Sequence, residues 1–89
     1  MLAEIDKKII EDISRKYHAK CVFLFGSSLD DTRESRDIDI AVEGIEPKVF
    51  FKYYGDLMLK LSKPVDVIDL SETSKFTQLI RKEGKLLYG

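Results

Sequence analysis

The chain has 89 residues, 44% hydrophobic and 35% charged, which suits one small domain over residues 1–89 and leaves no room for a second. Its formal net charge is −1, and its lysines and arginines are scattered rather than gathered in a block. That pattern argues against a nucleic-acid or membrane binder.

Residues 3–17 carry Ile5, Ile9, Ile13 and Tyr17 at spacings of four, flanked by Leu2 and Ile10, with charges on the other faces. This predicts an amphipathic helix whose lysines and glutamates form a solvated face. The charges set among its apolar positions exclude a signal peptide. His18, the sole histidine, falls at the helix end, where a capping or exposed role is expected. Residues 20–25, KCVFLF, read as a buried strand, with Cys21 in the core. A single cysteine excludes an internal disulfide and fits a reducing cytoplasm.

After Gly26-Ser27-Ser28 a polar segment leads to Asp37-Ile38-Asp39, and residues 38–42 predict a second strand. Glu46-Pro47 opens a helix, with Pro in the first turn where its missing N–H costs nothing. Phe50, Tyr54, Leu57, Met58 and Leu61 line one side of it; core packing explains most of VFFKYY, with Phe51 and Tyr53 as interface candidates. Ser62-Lys63-Pro64 ends that helix, and residues 65–70, VDVIDL, predict a third strand. Ser71 and Thr73 precede a last helix packed through Phe76, Leu79, Ile80 and Leu86-Leu87, interrupted or kinked at Gly84. The expected fold is α/β (α+β), a small mixed sheet of three to four strands flanked by helices, in the order α-β-α-β-α-β-α. No apolar run approaches the roughly 20 residues that span a bilayer, so a soluble cytoplasmic protein is expected. A domain this small buries only about 60–65% of its unfolded surface, which points to support from a partner or from homodimerisation.

Connection lengths give the strand directions. A helix of about 15 residues between the second and third strands suits a parallel crossover, whereas roughly ten residues between the first two favour an antiparallel pair. Gly26, Asp37 and Asp66 then converge on one edge of the sheet. Asp37 and Asp39 leave the same strand face, and Asp66 can join them; Asp69, on the opposite face, takes a surface role. Three such carboxylates repel by several kcal/mol at an effective dielectric of about 20, so one pKa must rise unless a cation intervenes. Mg²⁺ removes the conflict, held by carboxylates together with phosphates and water. Gly26 permits close approach to a ligand, and Ser27 would start a short helix with N–H groups free for phosphate oxygens. A Walker-type loop is absent. A haloacid-dehalogenase-type phosphatase would want Thr or Val two residues after Asp39, where Ala41 stands, and the chain is too short for a glycosyltransferase that uses D-x-D.

Gly26-Ser27, nine residues, Asp37-Ile38-Asp39-Ile40, a helix, then Val65-Asp66-Val67 resembles the minimal nucleotidyltransferases (MNT type) of the DNA polymerase β-like superfamily, related to kanamycin nucleotidyltransferase. The closing IRKEGKLLYG is similar to the tail of that branch. The resemblance implies a polymerase β palm-like fold. It implies that Asp37, Asp39 and Asp66 are catalytic and hold metal, two Mg²⁺ ions in all. Asp66 would also help to deprotonate the acceptor hydroxyl, while Gly26, Ser27 and Ser28 bind the nucleoside triphosphate, ATP. It further implies a helical HEPN-type partner, as antitoxin to toxin, with AMP transferred to a partner hydroxyl and pyrophosphate leaving. The sequence departs from the branch within the loop. Nine residues rather than ten separate Ser27 from Asp37, Leu29-Asp30-Asp31 replaces a small-Gly portion, and Arg36 precedes Asp37. Arg33 and Arg36 are candidates for phosphate contacts or simply part of a solvated loop. The altered loop supports a second reading, an inactive or slow nucleotide- and metal-binding antitoxin that acts by docking.

Overall fold

The computed structural model describes residues 2–29 and 36–89, leaving out the side chains of Ser27 and Ser28. The expectations for Asp30, Asp31 and Arg33 lie outside the described residues. Helix α1 (Glu4–Lys16) leads into β1 (Cys21–Leu24), followed by a short 3-10 helix (Gly26–Leu29) and β2 (Ile38–Glu43). Helix α2 (Pro47–Lys60), β3 (Val65–Asp69), α3 (Lys75–Glu83) and β4 (Lys85–Tyr88) complete the order.

The four strands run β3-β2-β1-β4 across one sheet. β1 lies antiparallel to both β2 and β4, and β2 is parallel to β3, as the connection lengths predict. Strand alternation divides the apolar residues between two layers. Val22, Leu24, Ile40, Val42 and Val67 face α1 and α2, where Ile10, Tyr53 and Leu57 are fully buried. Full burial of each such side chain contributes about 1.5–3 kcal/mol. Phe23, Ala41 and Ile68 face the other way and pack with Leu70, just after β3, and with Ile80 of α3. That second cluster is small, and the acids share its face.

The buried side of α1 is rotated from the expected stripe. Asp6, Ile10, Ile13 and Ser14 are buried, whereas Ile5 is exposed. Hydrogen bonding explains the two polar members. Asp6 accepts the Ser62 backbone N–H at 3.0 Å and the Ser62 hydroxyl at 2.6 Å, tying the start of α1 to the end of α2. Ser14 and Tyr53 share a buried bond of 2.8 Å. Tyr53 is thus core and Phe51 is exposed, and Met58, expected in the packed face of α2, is exposed too.

His18 has φ +61°. Its N–H donates to Arg15 O and that of Ala19 to Ser14 O, a Schellman closure with histidine at the left-handed position where glycine is usual. His18 is exposed, and Cys21 is half-buried rather than core because alternation buries its neighbours Val22 and Leu24 instead.

The last helix is shorter than expected. It starts at Ser74, whose hydroxyl accepts the Thr77 N–H while Thr77 Oγ1 accepts that of Ser74, a reciprocal cap. It ends at Gly84, and residues 85–88 form β4 beside β1, so Leu86 and Leu87 belong to a strand. A Cβ on Gly84 would sit 2.5 Å from Ile80 O and 3.0 Å from Leu24 O. Only glycine lets the chain pass that close to β1.

Candidate active site

Two backbone bonds assemble the predicted edge. Ile38 N–H donates to Pro64 O at 2.8 Å, joining the starts of β2 and β3, and Phe25 N–H donates to Asp39 O at 3.0 Å, holding the end of β1 on β2. In the parallel register Asp39 lies directly beside Asp66, so both side chains leave the sheet on the α3 side. Asp37 stands one residue before β2. Asp37 and Asp66 are exposed and Asp39 is half-buried.

The expected conflict between the acids falls on Asp39. Burial, then the charge of Asp66, then that of Asp37 push its carboxyl above the ordinary range. Gly26 closes the group from the β1 side. Its φ is +68°, and a Cβ there would lie 2.8 Å from Asp39 Oδ2. The glycine thus serves a left-handed turn and leaves room for the carboxylate. Residues 26–29 form the short helix expected after it; the side-chain expectations for Ser27 and Ser28 lie outside what is described. Asp69 stands apart, its carboxylate accepting the Ser71 N–H at 2.9 Å in a turn. Exposed Arg36 sits beside Asp37.

Sequence reasoning missed Glu43, which shares the face of Asp39 at the far end of β2. Arg81 of α3 donates to Glu43, and Lys20 Nζ lies 3.1 Å from its other oxygen. The alternation 39, 41, 43 was a signal for Glu43, but nothing local named Arg81. Hydrogen bonds from Arg81 and then Lys20 hold the Glu43 carboxyl below its ordinary value. A depressed carboxyl adds stability above the unfolded pKa, and that contribution is lost as pH falls through the folded value. Glu43→Gln should therefore lower stability by about 0.5–1 kcal/mol at neutral pH, as screened surface pairs do. It should cost nothing at a pH well below the carboxylate range. Denaturant midpoints for both proteins across pH check this.

The donor set at the edge fits a hard divalent cation. All three side chains offer carboxylate oxygens, and a cation would reverse the strain on Asp39. Among the described residues no three or more His, Cys, Asp or Glu are drawn together as a ready metal cage. The acids feel one another's charge without closing into a cage. Mg²⁺ suits that spacing, since it takes only one or two carboxylates and completes its shell with phosphates and water.

Comparison with known proteins agrees with this geometry. The family described as "Polymerase beta, Nucleotidyltransferase" matches residues 7–89. The chain belongs to the polymerase β nucleotidyltransferase family. Its mixed sheet with three helices is the nucleotidyltransferase fold, and several of its solved relatives are toxin–antitoxin complexes. A toxin–antitoxin crystal structure with AMP-PNP is 28% identical, with a TM-score of 0.75 over 93% of this chain and 73% of that one. The MntA-HepT toxin–antitoxin is 25% identical, with a TM-score of 0.73 over 98% and 73%. A third is the tri-AMPylated Shewanella oneidensis HEPN toxin in complex with its MNT antitoxin, 26% identical, with a TM-score of 0.73 over 97% and 71%. Comparison with curated protein sequences yields no match. Among the described residues, no helix is long and apolar enough to cross a membrane.

Proposed function

We propose that the protein is an Mg²⁺-dependent nucleotidyltransferase. It moves AMP from ATP to a hydroxyl of a helical HEPN-type partner, as the antitoxin of a toxin–antitoxin pair in the cytoplasm, with residues 1–89 acting as one catalytic domain. The observation that carries the reading is the pairing of Asp39 with Asp66 beside Gly26. Three repelling acids on one face have no use in a protein that only docks. The AMP-PNP in one relative's toxin–antitoxin structure and the AMPylated toxin of another support the choice of nucleotide and acceptor.

In this reading Asp37 and Asp39 hold Mg²⁺, two ions with the help of Asp66. Bound Mg²⁺ would neutralise the charge that develops on the attacking and leaving oxygens of an in-line displacement. Gly26, Ser27 and Ser28 receive the β- and γ-phosphates through backbone N–H groups. Asp66, more open to solvent than Asp39, takes the proton of the acceptor hydroxyl. The hydroxyl oxygen then bonds to the α-phosphorus as the bond to the bridging oxygen breaks, and pyrophosphate leaves. A second reading, a docking antitoxin with slow or no turnover, is favoured by one observation, the shortened and altered loop between Ser27 and Asp37.

Incubating the protein with Mg²⁺ and its HEPN-type partner, using ATP labelled at the α- or the γ-phosphate, tests the reading. Label from the α-position should appear on the partner and γ-label should leave with pyrophosphate. Transfer of γ-label would mean a kinase. A tight complex without any label would leave the docking antitoxin.

A further inference from the structure

A cavity of about 220 Å³ lies between the turn after β1 and helix α3. Phe25 packs with Ala41 and Ile80, so the cavity is on the sheet face that carries Asp39, two residues before Ala41. Phe25 and Leu29 wall one side. Phe76, Leu79 and Glu83, three and four residues apart along α3, wall the other. Phe76 sets its ring edge-on to that of Phe25, with centroids 5.8 Å apart at 83°. Phe76, Leu79 and Leu29 remain 50%, 49% and 37% exposed, and Glu83 is the one charged side chain among the lining residues.

Gly26 joins this cavity to the acids. It belongs to the cavity wall, and a Cβ on it would stand 2.8 Å from Asp39 Oδ2. A nucleoside triphosphate whose phosphates rest at Gly26 therefore has its other end within reach of the cavity. The volume falls below the roughly 300 Å³ at which pockets for whole ligands begin, so it takes one flat ring system with sugar and phosphates outside. An aromatic side chain of the acceptor is the other flat candidate, and the direction of attack excludes it. The attacking oxygen arrives opposite the departing pyrophosphate, and Gly26 stands on the pyrophosphate side. Charge narrows the choice of ring. A carboxylate only accepts hydrogen bonds, so Glu83 suits a base that presents an exocyclic amine, adenine rather than hypoxanthine.

We propose that this cavity is the nucleobase seat of the triphosphate site: Phe25, Phe76 and Leu79 hold the adenine ring by apolar contact, and Glu83 accepts a hydrogen bond from its exocyclic amine. The seat rests on the triphosphate binding argued above and adds the residues that choose the base.

Calorimetric titration of the full chain with the Mg²⁺ complexes of ATP, inosine triphosphate and tripolyphosphate tests the seat. The wild type should bind ATP about tenfold or more tighter than tripolyphosphate, the scale of one base–aromatic contact. It should bind ATP about fivefold tighter than inosine triphosphate, the scale of one hydrogen bond. Phe76→Ser with Leu79→Ser truncates two half-exposed side chains and should bring ATP down to the level of tripolyphosphate. Unchanged affinity for tripolyphosphate in the same variant shows that its fold and its acids are intact. Glu83→Gln alters only an exposed side chain, whose amide both donates and accepts, and should bring ATP and inosine triphosphate level. An ATP advantage that survives truncation overturns the seat, as does an ATP-to-inosine-triphosphate ratio that Glu83→Gln leaves unmoved. So does a wild type that binds ATP and tripolyphosphate equally, whether or not AMP is transferred. A wild type that binds none of the three sinks the transferase reading along with the seat. Base-dependent binding that the variants lose, with no transfer by the wild type, upholds the seat and sinks the transferase reading alone.

Discussion

Asp39→Asn should reduce AMP transfer by on the order of 10³-fold, about 4 kcal/mol of transition-state stabilisation, while making the metal-free protein more stable. Both effects come from the same placement. Asp39 sits between Gly26 and Asp66, and burial together with two neighbouring charges already works against its ionised form. Asparagine keeps the shape and removes the charge, so the repulsion disappears along with the ability to hold Mg²⁺. A function that costs stability is the expected signature of a strained site. The check is a thermal midpoint with and without Mg-ATP. Ligand should raise the wild-type midpoint and leave the variant unmoved from its higher baseline. A variant less stable than wild type without metal would show that the acids are not in conflict.

Gly26→Ala should be nearly as severe by a different route. The position has φ +68°, and the new methyl would fall 2.8 Å from Asp39 Oδ2, closer than two such atoms can sit. The backbone penalty is about 1–2 kcal/mol, and the clash moves either the turn or the carboxylate. Transfer should fall by about 10²-fold, as when a reacting group is misplaced by an ångström. A chemical-denaturation midpoint reports the first effect and a single-turnover assay the second. Alanine tolerated in both would mean that the turn relaxes freely and that Gly26 does not shape the site.

Much of this was legible because connection length dictates strand direction. The long crossover made β2 and β3 parallel and the short one made β1 antiparallel, and Gly26, Asp37 and Asp66 had to come to one edge. The two-residue period placed Asp37 and Asp39 together without any knowledge of the rest. The errors share a physical cause, since each depended on a partner distant in sequence. Asp6 and Ser14 are buried because Ser62 and Tyr53 satisfy them, and periodicity alone prefers Ile5. The strand at residues 85–88 exists because β1 offers a free edge, although KLLY after a helix reads as more helix. Met58 looks like core by spacing, yet α2 turns it outward. Glu43 and Arg81 pair across 38 residues, beyond any local pattern.

The most direct test of the account is the intact mass of the HEPN-type partner after co-expression with this protein, its Asp39→Asn variant or its Asp66→Asn variant. The account predicts one or more AMP additions on hydroxyl side chains with the wild type and an unmodified partner with either variant. An unmodified partner with the wild type, or additions that persist in both variants, would contradict it.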